Sequence, residues 1–150
     1  MDEITNPQEL ALAASKAMWT RDNATHALGM ELVSVAPGRA VLRMKVRSDM
    51  VNGHHICHGG LIFTLADSAF AYACNSYNLN TVASGCSIDF LAPGREGDVL
   101  EASAVERSAA GRTGVYDVEV KVLDGNTVAL FRGKSYRIKG EVIAGLESNQ

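Results

Sequence analysis

The hydrophobic pattern of this chain centres on one long stretch without proline, from His58 to Asn75. Helix-forming residues dominate it, and nearly every position is apolar or small. A helix that is apolar on almost every side is typical of a protein interior. It would measure about 24 Å, the width of a small domain, and its polar interruptions make it too short for a membrane span. We therefore predict a central helix from Gly59 to about Ser76, wrapped by the rest of the chain.

Most of the remaining chain alternates between apolar and polar residues with the two-residue period of β-strands. Two dipeptides typical of hairpin turns, Pro37-Gly38 and Asp124-Gly125, separate neighbouring alternating segments. We predict strands over residues 30–35, 39–47, 81–91, 98–107, 112–123 and 127–138.

These elements predict an α+β architecture, with a curved antiparallel sheet wrapped around a long central α-helix. The strands after the helix are predicted in meander order. A further helix over about 7–20 is predicted to open at Pro7, which suits a first helical turn. We expect a single domain, 1–150, with its core at about 28–139 and a loose tail from Gly140 onward.

Composition narrows the function classes. Nearly half of the 150 residues are hydrophobic, enough for one domain with a real core. The net charge of −3 gives no general attraction to nucleic acid or to an anionic membrane. We find no signal peptide, lipidation motif or transmembrane run. Three cysteines, an odd number, indicate free thiols and a cytoplasmic protein.

One acidic residue, Asp67, interrupts the apolar central helix. Burying a carboxylate there destabilises the fold unless the group is paired with a donor or a cation, and such a residue is retained where it serves a function. Its helical face also carries mostly small residues, so a ligand or another chain could approach closely. The alternatives are a carboxylate bonded to a neighbouring hydroxyl, or an exposed one on a less buried helix.

The Gly59-Gly60 pair opens the same helix. A helix start presents unpaired N–H groups, and such donors stabilise a developing oxyanion; the alternative is a plain turn. Asp67 lies eight residues beyond Gly59, about 12 Å along the axis, too far for both to act on one carbonyl. If both are catalytic, the helix start of one subunit must meet the Asp67 of another, as in a two-fold dimer with antiparallel central helices.

Five segments carry a resemblance to a known family: NGHHICHGG at 52–60, LADSAFAYACN at 65–75, IDFLAPG at 88–94, TGVYD at 113–117 and VALFRGKS at 128–135. They resemble the hotdog fold and, within it, the PaaI-type thioesterases of aerobic phenylacetate catabolism. The resemblance implies hydrolysis of acyl-CoA thioesters, with phenylacetyl-CoA and its hydroxylated or ring-modified derivatives as expected substrates. It also implies a homodimer with shared active sites that forms homotetramers, and no cofactor, because coenzyme A is part of the substrate.

Position by position, the resemblance makes Asp67 the catalytic carboxylate, acting either as a base on water or as a nucleophile. The N–H of Gly59 would bind the thioester carbonyl, and Asn52 would place the substrate or water. His58 would position the loop. The predicted substrate-binding residues are His58, Gly60, Ser68 and Ser84, with Ser87 an alternative to Ser84. The hydroxyl of Ser68 could instead bond back to its own helix.

Other chemistries remain open at this point. The histidine- and cysteine-rich loop at 54–58 lacks the second ligand pair of a zinc site, so we predict no metal. A hydratase or dehydratase of the same fold would pair a histidine with a carboxylate, and a non-catalytic acyl-CoA-binding module is a third alternative. Basic residues that could meet the coenzyme A phosphates are Arg43, Lys45, Arg132, Lys134 and Arg137.

Overall fold

The structure, a computed structural model, describes residues 6–146. Two helices come first, α1 (Pro7–Arg21) and α2 (Asn23–Ala27), and the central helix is α3 (Gly59–Cys74). The strands are β1 (Glu31–Ala36), β2 (Arg39–Lys45), β3 (Leu79–Phe90), β4 (Val99–Ala110), β5 (Thr113–Val122) and β6 (Thr127–Glu141). Every predicted helix and strand is present, with its ends shifted by up to three residues.

All six strands form one antiparallel sheet in the order β1-β2-β4-β5-β6-β3. The predicted meander is therefore wrong for β3, which lies at the sheet edge beside β6 instead of next to β4. Cys86 pairs with Gly133, and Ile88 pairs with Phe131. Alternation within a strand shows which side chains share a face, but it does not encode which distant strand becomes the neighbour.

The sheet wraps around α3, which contacts all six strands. The buried side of the helix carries Leu65, Ala66, Ala69, Phe70 and Ala73. Phe70 lies so close to β6 that a Cβ on Gly133 would sit 2.7 Å from its ring. Only glycine leaves room for the aromatic ring at that position, so the helix is seated directly on the strand.

One side of α3 is not covered by the sheet, and Asp67 lies on that side. Apart from Gly59 and Leu61 in the first turn, the half-exposed or exposed positions recur at the spacing of a single helical face: Gly60, Phe63, Thr64, Asp67, Ser68 and Ala71. We call this set the open stripe. The buried residues of the same helix face the sheet, so the open stripe is the side of α3 that the protomer leaves available.

Side-chain hydrogen bonds hold the first helix and the segment after β6. Asn6 accepts a hydrogen bond from the backbone N–H of Glu9 at the start of α1. Asn78 exchanges two hydrogen bonds with the backbone of Ile143, so the chain is held beyond the predicted core end near residue 139. Residues 1–5 and 147–150 lie outside the described residues, and so does that part of the loose-end prediction. Among residues 6–146, no helix is both long and apolar enough to cross a membrane.

Candidate active site

Asp67 is half-buried in the open stripe, and burial raises the pKa of its carboxyl. Within residues 6–146, no side chain or backbone group donates a hydrogen bond to it, and no cation pairs with it. The neighbouring hydroxyls are engaged elsewhere: Ser68 Oγ donates to the Thr64 carbonyl at 2.7 Å, and Thr64 Oγ1 donates to the Gly60 carbonyl at 2.8 Å. The structural alternative, a carboxylate bonded to a nearby hydroxyl, is therefore not observed.

Two thiols lie near this carboxylate. Burial raises the pKa of Cys74 to about 12, and the negative charge of Asp67 contributes. Burial also raises the pKa of Cys86, again with a contribution from Asp67. Because Cys86 pairs with the buried Gly133, it lies on the inner face of β3. Both thiols are therefore protonated at neutral pH, and neither is activated as a nucleophile.

The start of α3 is capped in a way that spares one donor. Gly60 N–H donates to Nδ1 of His58 at 3.1 Å, and Leu61 N–H donates to the His58 carbonyl at 2.9 Å. Gly59 N–H has no acceptor among residues 6–146. His58 thus caps the helix start and leaves the Gly59 N–H free for an oxygen of a ligand.

An aromatic ring that the sequence prediction missed stands against Gly59. A Cβ on Gly59 would lie 3.1 Å from Cζ of Phe90, at the end of β3. Phe90 pairs with the buried Ala129, so its side chain shares the inner face with Ile88 and Cys86. The alternation of residues 86, 88 and 90 was the available signal, but it became meaningful only once the partner strand of β3 was known.

Asn52 organises the loop that leads into α3. Its Oδ1 accepts from the backbone N–H groups of His54 at 2.9 Å and Ile56 at 3.4 Å. Within this loop, His55 has a positive φ of 64°, which completes the tight turn. The amide oxygen therefore holds the loop, while Nδ2 donates no hydrogen bond within the described range. Asn52 therefore caps the turn through its amide oxygen and keeps Nδ2 free for a ligand or water.

This division of labour gives a prediction for two substitutions. Asn52→Asp keeps the oxygen that holds the turn and removes the free N–H donor. For the expected acyl-CoA substrate, we therefore expect kcat/KM to fall about tenfold while the melting temperature stays unchanged. Asn52→Ala removes both and is expected to lower the melting temperature as well. Steady-state kinetics and thermal unfolding of the pair measure this. Equal kinetics for the wild type and Asn52→Asp would mean that the residue serves the loop alone.

The two candidate serines of β3 differ in position. Ser87 pairs with the exposed Arg132, so it lies on the outer face of the sheet, away from α3. Ser84 lies at a bulge in β3, and its hydroxyl donates to the Lys134 carbonyl at 3.2 Å. The predicted roles of Ser84, Gly60 and Ser68 in substrate binding stay predictions. No group of three or more His, Cys, Asp or Glu residues in 6–146 is arranged to hold a metal ion.

Comparison with known proteins identifies the family. Residues 54–129 match the family model of the Thioesterase superfamily. Acyl-coenzyme A thioesterase PaaI of Escherichia coli is 53% identical over 126 residues, covering 84% of this chain and 90% of that protein. This chain belongs to the thioesterase superfamily. The predicted resemblance to its PaaI type is thereby confirmed, and so is the prediction of an acyl-CoA thioesterase.

Solved structures confirm the predicted hotdog fold of this thioesterase. E. coli PaaI, a protein from the phenylacetic acid degradation operon, superposes with a TM-score of 0.89 at 50% identity, covering 91% of this chain and 99% of that one. A mutant of the phenylacetic acid degradation protein PaaI from Thermus thermophilus superposes with a TM-score of 0.75 at 42% identity, covering 78% and 100%. The family favours hydrolysis over the hydratase and the non-catalytic alternatives.

Proposed function

We propose that this thioesterase hydrolyses phenylacetyl-CoA and its hydroxylated or ring-modified derivatives to the free acid and coenzyme A, in the cytoplasm and without a metal or cofactor. The observation that carries the proposal is the half-buried carboxylate of Asp67, unpaired within residues 6–146, on the helix whose first N–H is also free. The acyl class is supported by the E. coli relative named acyl-coenzyme A thioesterase PaaI and by the operon from which its solved structure comes.

The chemistry needs a polarised carbonyl and an oxygen nucleophile. The thioester oxygen accepts from Gly59 N–H at the positive end of α3, which stabilises the oxyanion as it forms. Asp67 either removes a proton from an attacking water or attacks the carbonyl itself to give a mixed anhydride that water then opens. In both cases the carbon–sulfur bond breaks and coenzyme A leaves as a thiol. In the first route the acyl carbon bonds the water oxygen directly; in the second it bonds an Asp67 oxygen, and water then breaks a carbon–oxygen bond of the anhydride to release the free acid and restore the carboxylate.

A dimer supplies the geometry that one helix lacks. Gly59 and Asp67 of one protomer are about 12 Å apart along α3, so one carbonyl can meet both only if the Asp67 belongs to a partner. Within residues 6–146, β3, which is twelve residues long, pairs only with β6, and its exposed apolar side chains include Leu79 and Val82. A long free edge of this kind is a template for pairing with a second copy. Asp67 of the open stripe acts electrostatically on Cys86 of β3, and α3 packs against that strand, so two-fold pairing at this edge would bring the two stripes together.

Hybrid dimers test whether the sites are shared. Asp67→Asn and Gly59→Pro each remove one half of the site, and a mixed dimer would contain one site with both halves intact. We expect co-expression of the two inactive variants to restore about a quarter of wild-type activity, given random pairing. Each variant expressed with itself is the control. No restored activity in a preparation shown by mass spectrometry to contain mixed dimers would place both groups in one protomer.

We propose that two dimers form a homotetramer by contact between the outer faces of their sheets. A groove of about 660 Å³ crosses that face, and the ion pairs of Asp117 with Arg107 and Arg132 line it at 3.0 and 2.7 Å. Its charged side chains pair with one another, and the face lies on the opposite side of the sheet from the open stripe. It is therefore available to a second dimer without blocking the proposed site.

The substrate proposal is tested by thiol release. Purified protein is mixed with a series of acyl-CoA thioesters and a thiol-reactive dye, and the substrates are ranked by kcat/KM. We expect phenylacetyl-CoA and its ring-hydroxylated derivatives to rank above acetyl-CoA and hexanoyl-CoA. Tight binding of these thioesters without thiol release would support a binding module, and a low rank for the aromatic substrates would overturn the proposed acyl class.

A further inference from the structure

We propose that Phe90 and Phe63, which we name the phenyl frame, select aromatic over linear acyl groups at the Gly59 end of the site. The inference rests on the proposed thioesterase function and goes beyond it by assigning specificity to two residues. Neither ring takes part in bond making, so the frame is expected to act on the choice of substrate.

Phe90 is exposed although its side chain lies on the inner face of the sheet. Its partner on β6, Ala129, is fully buried, but the Phe90 side chain is 53% exposed. The tip of its ring stands against Gly59, with Cζ, Cε1 and Cε2 all within 3.5 Å of where a Cβ would be. A large apolar ring is thus held at the free N–H donor with more than half of its surface uncovered. A ligand whose carbonyl oxygen accepts from Gly59 would lie beside this ring.

Phe63 supplies the second ring from the helix itself. It follows Gly59 by four residues, so it lies on the same helical face one turn further along. It is the one aromatic residue of the open stripe. Its ring meets Phe131 edge-on, with centroids 5.4 Å apart and planes at 67°, and Phe131 is in turn 5.9 Å from Phe70. These contacts fix the orientation of Phe63 from the core side and leave its other side half-exposed.

The geometry suits an arylacetyl group. In a phenylacetyl thioester one methylene separates the carbonyl from the ring, so the ring centre lies about 4 Å from the carbonyl carbon. With the carbonyl oxygen on Gly59 N–H, the substrate ring is confined to the immediate neighbourhood of Phe90 and Phe63. Aromatic pairs prefer centroid separations of about 4.5–7 Å in edge-to-face or offset arrangements. A linear acyl chain gains apolar contact there but not these aromatic pairings.

The test compares phenylacetyl-CoA with hexanoyl-CoA, which carries a linear chain of similar size, in Phe90→Leu and Phe63→Leu. Leucine keeps an apolar side chain and removes the aromatic ring. For each variant we expect kcat/KM for phenylacetyl-CoA to fall by about threefold to tenfold, while kcat/KM for hexanoyl-CoA changes by about twofold or less. Phe90→Leu is the more secure variant, because an exposed ring contributes little to the core.

Tyr136→Leu is the matched control. Tyr136 is also an exposed aromatic residue of the β3–β6 ribbon, but it pairs with Val82 at the opposite end from Phe90. We expect its two kcat/KM values to keep the wild-type ratio. An unchanged ratio in both Phe variants, or an equal loss for both substrates, would overturn the phenyl frame and leave the thioesterase proposal standing. Wild-type protein that hydrolyses neither thioester would overturn the proposed function itself.

Discussion

Asp67→Asn is expected to lower kcat for phenylacetyl-CoA by about 10²- to 10⁴-fold, the usual contribution of a general base. The substitution keeps the shape and polarity of the side chain but removes its ability to accept a proton or attack a carbonyl. Initial rates of thiol release measure the loss. Asp89→Asn, which neutralises an exposed carboxylate of β3 paired with the exposed Leu130 on the outer face, serves as the control and is expected to retain wild-type activity.

Asp67→Asn is expected to lower activity but not the stability of the folded protein. Burial raises the folded-state pKa of Asp67 above its ordinary value of 3.8, so the ionised carboxylate opposes folding at neutral pH. This cost is fully present above the raised pKa and vanishes once the pH falls below the ordinary value, where both states are protonated. Asp67→Asn removes the cost. We therefore expect the variant to melt at or above the wild-type temperature at about pH 8, with the difference shrinking toward about pH 4.

Activity and stability together distinguish a catalytic carboxylate from a structural one. A structural aspartate would lose stability on substitution, because its partners would be left unsatisfied. Near-normal turnover in Asp67→Asn would contradict its catalytic role, and a large drop in melting temperature under the same alkaline conditions would show that its carboxylate is bonded in the assembled protein. In the wild type, kcat is expected to fall as the pH drops through the raised pKa of Asp67, since the working form is ionised.

Gly59→Pro is expected to lower kcat by about 10²- to 10³-fold, the cost of one lost oxyanion donor. Proline removes the free N–H but suits the first position of a helix, where no intrahelical bond depends on that donor. The preceding residue, His58, already has φ −60° and ψ 132°, an extended conformation that proline accepts. The backbone around the helix start is therefore expected to remain as it is, and circular dichroism should show an unchanged helix content.

Gly59→Ala is the matched control for this variant. It adds a Cβ in the same place, 3.1 Å from Cζ of Phe90, but it keeps the N–H. Because the Phe90 ring is more than half exposed and can shift, we expect a loss of about tenfold or less, distinct from the proline variant. Equal losses in both variants would mean that crowding against Phe90, and not the missing donor, explains the effect.

The sequence was sufficient for the elements and for half of the candidate site. The uninterrupted apolar run predicted the central helix starting at Gly59, and alternation predicted all six strands within a few residues of their observed ends. Asp67 could be singled out because one charge in an apolar helix requires an explanation. The distance between Asp67 and Gly59 follows from helix geometry alone, so the expectation of a shared site needed no coordinates.

Other features depended on contacts between distant parts of the chain. The position of β3 beside β6, the free edge that results and the inner-face placement of Cys86 and Phe90 are set by pairing between strands far apart in the sequence. The sequence predicted an unpaired N–H at Gly59, but the hydrogen bond from Gly60 N–H to His58 Nδ1 beside it is seen only in the structure. Local patterns carry no information on such choices, since each is decided by which of several compatible neighbours packs best.

By itself, the sequence determined where the helices and strands form, which carboxylate is out of place and which glycines open its helix, because these follow from short-range periodicity and local backbone preference. Only the tertiary structure decided which strand lies at the edge, which side of α3 stays open and which aromatic ring lies against Gly59. Those outcomes come from long-range packing of the sheet around the helix, where burial of one helix face leaves the opposite face exposed.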